Sequence, residues 1–321
     1  MIGPEGAHAA PVESPAGPAV TARPPAYLID GSLYVFRAWH SVDGNLRDRD
    51  GWPSNAVYGF TRFLLEFLRQ QRPTHIAVAF DESLASSFRN ELYPAYKANR
   101  EPAPEELKRQ FGQCKRIVQA LGLVCLADVT YEADDLIGSA HQVLRRAGHA
   151  VTIVSADKDM SQLLAAGDEQ WDYGRNLRWC EHGCVERHGV APRHIADMLA
   201  LVGDPIDNIP GVPGIGRKSA AILLAHFDGL DNLLANLDAI ATLKQLRGAP
   251  RLARALADRI PQVLQMRRLT EIACDAPVPD PADAYRPIAA DADALGILVE
   301  TLGFGPLTRR ACLDWAARGA S

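Results

Sequence analysis

Val151-Thr152-Ile153-Val154-Ser155-Ala156-Asp157 is a short apolar run, rich in β-branched residues, that ends on an aspartate. Two earlier runs share this design: Tyr27-Leu28-Ile29-Asp30 and Ile76-Ala77-Val78-Ala79-Phe80-Asp81. Runs of this length and content read as buried strands. Between them the apolar spacing becomes helical, as at Val57, Phe60, Phe63, Leu64, Phe67 and Leu68 within 55–70. Residues 105–121 and 133–147 behave similarly, and Gly148 stands where a helix stop is expected. Strands alternating with helices predict an α/β fold, a mainly parallel twisted sheet flanked by helices on both faces. Ligands of such sheets bind beyond the carboxyl ends of the strands. Three strand-terminal aspartates are therefore expected to meet at one edge.

Beyond about residue 190 the strand signals fade. Helices are expected over 192–203, 217–227, 251–268 and 291–302, with a Gly/Pro hairpin at Gly211 to Gly216. Residues 274–290, rich in Pro, Asp and Ala, read as an extended connection. The second half is thus a small helical domain, and no internal repeat is evident.

The 321 residues, 47% of them hydrophobic, suffice for one large or two small domains. No run of eighteen apolar residues occurs. The first 25 residues hold almost no large apolar side chain and lack the basic start and apolar stretch of a signal peptide. They read as a disordered tail. Six cysteines without a C-x-x-C pair, in a chain too large to need disulfide staples, fit a reducing cytoplasm. Cys180, His182, Cys184 and His188 form a local cluster that is either a zinc site or a loop of unlinked residues. Its spacing matches no standard arrangement of two ligand pairs.

Other acids fall in tight groups. Glu132, Asp134 and Asp135 open the helix at 133–147, where the helix dipole favours negative charge. Asp157 and Asp159 follow a strand, and Asp204 and Asp207 flank Pro205-Ile206. With Asp30 and Asp81 this makes nine acids. Setting them aside turns the net charge of −5 into +4, so net charge neither supports nor excludes a nucleic-acid partner. Clustered carboxylates repel and raise one another's pKa unless cations compensate them. Hard oxygen donors select magnesium or manganese. Two such ions about 4 Å apart activate a water and steady the leaving oxygen of a phosphodiester.

The strings Leu28-Ile29-Asp30-Gly31-Ser32, Arg37-Ala38-Trp39-His40, Glu132-Ala133-Asp134-Asp135 and Asp157-Lys158-Asp159-Met160 resemble the bacterial 5′ nuclease domain. So do Gly203 to Asn208 and Gly211-Val212-Pro213-Gly214-Ile215-Gly216. That domain occurs at the front of DNA polymerase I and as a separate 5′–3′ exonuclease or flap endonuclease. The resemblance runs from about Ala26 to about residue 305, with the motifs in the family's order.

The resemblance implies a PIN-like α/β nuclease core over 26–190 and a helical DNA-binding domain with a helix–hairpin–helix over 191–305. A tail is expected over 306–321, as over 1–25. Asp30, Asp81, Glu132 and Asp134 would hold a first metal ion. Asp157, Asp159 and Asp207 would hold a second, with Asp135 and Asp204 nearby. Cleavage would leave a 5′-phosphate and a 3′-hydroxyl without a covalent enzyme intermediate. The basic stretch 84–116 would form a helical arch over the metals. There Arg89, Lys97, Arg100, Lys108, Arg109, Lys115 and Arg116 would track phosphates, and Phe88, Tyr93 and Tyr96 would stack on bases. Lys97, Arg89 and Arg37 are the candidates for steadying the scissile phosphate. Gly211, Gly214 and Gly216, with Lys218 and Ser219, would grip duplex phosphates and hold a potassium ion.

Pro205-Ile206 departs from the small hydroxyl residues common there in polymerase-linked relatives, and stiffens that loop. The expectation is a monomeric, cytoplasmic, stand-alone DNA nuclease of replication and repair. The alternatives are a catalytically weak binder of branched DNA and a metal-dependent ribonuclease of the same fold.

Overall fold

The computed structural model describes residues 25–82 and 87–317. The tail expected at the N-terminus therefore lies outside the described residues except for Pro25, as do positions 83–86 of the expected arch. The first half comprises β1 (Ala26–Asp30), α1 (Gly31–Ser41), α2 (Asn55–Gln71), β2 (Ile76–Asp81), α3 (Phe88–Leu92) and α4 (Glu105–Ala120). It continues with β3 (Val124–Asp128), α5 (Ala133–Arg146), β4 (Val151–Val154), β5 (Glu169–Asp172), β6 (Leu177–Trp179) and α6 (Glu181–His188).

The six strands form one sheet in the order β3-β2-β1-β4-β5-β6. All neighbours run parallel except β5 and β6. Leu28 and Ile29 of β1 are fully buried, and Asp30 is only 6% exposed. The unalternating apolar runs thus reflect a central strand covered on both faces. One face packs α1, α2 and α4 through Val35, Phe60, Leu64, Phe67, Leu107 and Ile117; the other packs α5 through Leu136, Ile137, Ala140 and Leu144. The outer strands β3 and β6, and β5 next to β6, carry less continuous apolar character and give no clear signal in the sequence. Neither did α1, which starts directly on Asp30 as its N-cap.

The second half contains α7 (Ile195–Val202), α8 (Arg217–Phe227), α9 (Leu230–Ala235), α10 (Leu237–Ile240), α11 (Ala249–Ala257) and α12 (Ile260–Thr270). The single helix expected over 251–268 is two, because Pro261 is placed in the first turn of α12, where its missing N–H costs no internal bond. The helix expected from 192 begins with a 3-10 turn at Pro192–His194.

Two expectations need correction. Residues 306–317, expected as part of a tail, are helical, and the rest of that expected tail lies outside the described residues: α13 (Ala292–Thr301) and α14 (Pro306–Ala317) return to the sheet layer. Leu295, Leu298, Val299 and Cys312 join the core formed by α2 and α4, and the Trp315 indole N–H donates to the Leu121 carbonyl at 2.9 Å. The arch, expected over 84–116, excludes its second helix. Leu107, Cys114, Ile117 and Val118 of α4 are buried against the sheet layer, which leaves 93–104 as the stretch between α3 and α4. Among the described residues no helix is long and apolar enough to cross a membrane.

Candidate active site

The register of the central strands brings the acids together. β1 pairs with β2 on one side and β4 on the other, so Asp30 lies across from Ala79, and Ile29 across from Val154. Asp30 and Asp81 end their strands, and Asp157 follows β4 by three residues. All three therefore emerge at one carboxyl edge. Short polar contacts fix them. The Asp30 carboxylate accepts from the Leu33 N–H and the Ser155 hydroxyl, each at 2.9 Å. The Asp81 carboxylate accepts from the Ala133 N–H at 2.9 Å, at the amino end of α5. A capping box sets that end, with Glu132 as N-cap and Asp135 returning to the Glu132 N–H at 3.0 Å.

The second half supplies the remaining acids through a tight turn after α7. Asp204 and Ile209 exchange backbone hydrogen bonds at 2.8 Å, closing a loop that carries Asp207. Gly203 and Gly211 back this turn. A Cβ on either would meet the other's backbone, and Gly203 has φ +83°. Glu132, Asp134, Asp159, Asp204 and Asp207 line one small recess.

Burial, and then the neighbouring carboxylates, disfavour charge on several of these acids. Burial, reinforced by Asp81 and Asp157, pushes Asp30 up to about 7. Burial, with Asp157 and then Asp204 and Asp207 nearby, likewise pushes Asp159 up to about 7. Burial and the neighbouring Asp157, Asp30 and Asp81 hold Asp134 well above the carboxylate range. The Asp159 Oδ1 atom is buried without a hydrogen-bond partner, with the Lys158 ammonium 3.4 Å away.

Side-chain cations relieve part of this charge. Lys97 Nζ contacts Glu132 at 2.9 Å, and the Tyr96 hydroxyl donates to the other Glu132 oxygen at 3.1 Å. Burial disfavours the Glu132 charge, yet Lys97 and Arg89 outweigh it and hold the carboxyl below its ordinary value. Lys158 contacts Asp204 at 2.6 Å, and Arg100 pairs with Asp207. Among the described residues, no three His, Cys, Asp or Glu side chains already stand in a coordinating arrangement. That holds for the Cys180, His182, Cys184 and His188 cluster too. Cys184 is buried and bonded to the Val190 carbonyl, His188 meets Ser161, and His182 meets Glu186.

Several residues expected in the site have other duties. Arg89 is 3% exposed and forms a forked pair with the fully buried Asp135, at 2.7 and 2.8 Å. It also donates to the Leu269 and Glu271 carbonyls. Its expected role at the phosphate is therefore corrected: Arg89 ties α3 and α5 to α12, and Asp135 has both oxygens committed to protein donors, including the Ala273 N–H. Tyr96, expected to stack on bases, is buried with its hydroxyl on Glu132. Arg37 is paired with Asp172 at 2.9 Å rather than with any of the nine acids. Of the three cations expected to steady a phosphate, Lys97 is the one that both touches a site acid and borders the larger cleft. That cleft, about 740 Å³, is lined by Asp81, Lys97, Arg100, Lys108 and Lys115 together with Phe36 and Phe111. Lys97 has φ +54°, a left-handed conformation that costs a residue with a Cβ about 1–2 kcal/mol.

The supporting roles of Ser155, Ser32, Tyr96 and Lys158 were not read from the sequence. Ser32 accepts from the Asp81 N–H at 2.9 Å. The positions of Ser155 one residue past β4 and of Lys158 between two aspartates were the available signals. Gly214 (φ +89°) and the Gly216 N-cap of α8 form the hairpin between α7 and α8, with Gly214, Gly216 and Lys218 exposed.

Models of the 5′–3′ exonuclease family match nearly the whole described chain: the N-terminal resolvase-like domain over residues 25–189 and the C-terminal SAM fold over 190–293. The chain belongs to the 5′–3′ exonuclease family. Its family is one of hydrolases. DNA polymerase I of Mycobacterium bovis is 37% identical over 304 residues, covering 93% of this chain and 32% of that protein. DNA polymerase I of Bacillus caldotenax is 34% identical over 281 residues, covering 86% and 31%. The chain thus spans about a third of the length of these relatives. The fold is that of T5 5′-exonuclease, solved with zinc (TM-score 0.63, 18% identity, covering 92% of this chain and 100% of that one). The catalytic core of Rad2 in complex with DNA substrate is also similar (TM-score 0.60, 15% identity, covering 90% and 91%).

Proposed function

We propose that this exonuclease-family chain is a divalent-metal-dependent 5′ nuclease that hydrolyses DNA phosphodiesters at 5′ ends and 5′ flaps. The observation that carries the reading is the convergence of acids from β1, β2, α5, the loop after β4 and the α7–α8 turn on one edge, where burial and neighbouring carboxylates raise Asp30, Asp134 and Asp159 above the ordinary carboxylate range. The donor set suits a hard cation, since every donor is a carboxylate oxygen and Asp159 Oδ1 is buried without a hydrogen bond. T5 5′-exonuclease has been solved with zinc, and the T5 D15 flap endonuclease with DNA and metal ions, which agrees with this chemistry.

In this reading Asp30, Asp81, Glu132 and Asp134 hold one ion, and Asp157, Asp159 and Asp207 hold the other, with Asp204 kept beside it by Lys158. Asp135 holds α5 in place through Arg89. Two bound magnesium or manganese ions would lower the pKa of the attacking water and neutralise charge on the phosphate. The chain's own part is orientation. Ser155 and the Leu33 N–H aim Asp30, the α5 amino end aims Asp81, and Lys97 steadies the scissile phosphate from the cleft side. Arg100, Lys108 and Lys115 attract the single strand into the cleft, and the exposed amides and Lys218 at the α7–α8 hairpin bind the duplex, with a potassium ion at the hairpin. Contacts of this kind read backbone and shape, so cutting depends on structure rather than sequence. The products carry a 5′-phosphate, and the enzyme acts as a monomer in cytoplasmic DNA replication and repair.

A labelled panel of flap, nicked, gapped and blunt duplexes with magnesium tests this reading. Cutting is expected only with divalent metal, and Asp157→Ala is expected to bind flap DNA without cutting it. Full cutting by Asp157→Ala would refute the assignment. Equal cutting of matched RNA flaps would transfer the reading to a ribonuclease, and binding without turnover to a branched-DNA binder.

A further inference from the structure

Lys97 reaches Glu132 from a backbone that an unsupported lysine would avoid, so something must hold it there. Two asparagine side chains do so, one from α3 and one from the turn after α7. The Asn90 amide, on α3, donates to the Tyr96 carbonyl at 3.1 Å, while its own oxygen caps α3 by accepting from the Ser87 N–H. The Asn208 amide, from the acid-bearing turn, donates to the Ala95 carbonyl at 2.7 Å. Two consecutive carbonyls just before Lys97 are thereby pinned. The Lys97 N–H also donates to the Asp207 carbonyl at 3.0 Å, a second bond from the turn that carries Asn208. Asn208 is itself left-handed at φ +56°, a conformation asparagine tolerates better than most residues.

Resting on the nuclease reading above, we infer that Asn90 and Asn208 are positioning residues that hold Lys97 over the acidic site. They touch neither the acids' carboxylates nor the phosphate; they act by fixing the backbone from which the Lys97 ammonium extends. The arrangement also couples two chain regions more than a hundred residues apart. The segment carrying the candidate phosphate cation is fastened to the turn carrying Asp207, so that cation and acid keep a constant separation.

The test uses the full chain and two variants. Asn208→Gly keeps the left-handed backbone and removes the amide. Asn90→Asp keeps the cap on Ser87 and removes the donor to Tyr96. Amide hydrogen exchange followed by mass spectrometry should show residues 95–100 losing protection in both variants while α5 and β1 stay protected. Single-turnover cleavage of a 5′ flap at saturating enzyme should slow about tenfold or more, as expected for a misplaced catalytic contact. In a Lys97→Ala background, neither substitution should slow cleavage further. Unchanged protection of 95–100, an unchanged cleavage rate, or a rate loss that persists in full on top of Lys97→Ala would each overturn the inference. If the wild-type chain cuts no DNA, the nuclease reading fails on its own, and the exchange data still decide whether the asparagines fasten this segment.

Discussion

Arg89 and Lys97 lie eight residues apart on the same stretch of chain, and both reach the first turn of α5. Their circumstances differ. Arg89 has two bonds to Asp135 and two to main-chain carbonyls, all from this protein, and its partner carboxylate is fully buried. Burial opposes the Arg89 charge, yet Asp135 and Glu132 overcome it and hold the guanidinium charged. Among the described residues Lys97 makes one side-chain ion pair, to Glu132, and it borders an open cleft. An ammonium has three donors, so Lys97 keeps capacity for another acceptor while Arg89 has little. The difference separates a cation that builds the fold from one available to a ligand, although both sit on one short basic stretch of the sequence.

The comparison is broken most forcefully at Arg89. Arg89→Ala should cost about 3–5 kcal/mol in denaturant unfolding, because Asp135 is left buried and unpaired. Arg89→Lys should recover little of it, since a point charge does not replace the fork. Lys97→Ala should do the reverse, lowering single-turnover cleavage about 10²–10³-fold, the range seen when a preorganised charge-stabilising group is removed. Its unfolding midpoint should fall far less than that of Arg89→Ala, because Glu132 keeps Tyr96 and Arg89 as neighbours. If the two losses were exchanged, the division of roles would be wrong.

Two smaller effects sharpen the contrast. Magnesium at a hundredfold excess over its dissociation constant should stabilise the wild-type chain by about 2.7 kcal/mol, read as a rise in melting temperature. Asp159→Asn should lose much of that increment and Asp135→Asn should retain it, since the Asp135 oxygens are committed to Arg89 and backbone donors. Smallest is Tyr96→Phe, which removes one hydrogen bond to Glu132 and should cost about 1 kcal/mol in unfolding. A loss as large as that of Arg89→Ala would show that Tyr96, not Lys97, dominates the Glu132 environment.

The helical half shows where sequence reading weakens. The expected 251–268 helix is two helices, and residues 306–317 of the expected tail form α14, because short apolar spacings do not reveal which core a helix joins. Val299, Leu302 and Cys312 complete a core begun by α2, more than two hundred residues earlier. By contrast, the three strands ending in aspartate were legible. Each is a central strand whose apolar run is enforced by burial on both faces, and their parallel direction places all their ends at one edge.

By itself, then, the sequence determined the α/β class and the edge at which Asp30, Asp81 and Asp157 emerge, since strand burial and strand direction are written in local patterns. Only the tertiary structure decided which cation meets which acid. Arg89 finds Asp135 across 46 residues and Lys97 finds Glu132 across 35. Such pairings depend on distance and desolvation in three dimensions, and composition and spacing carry no record of either.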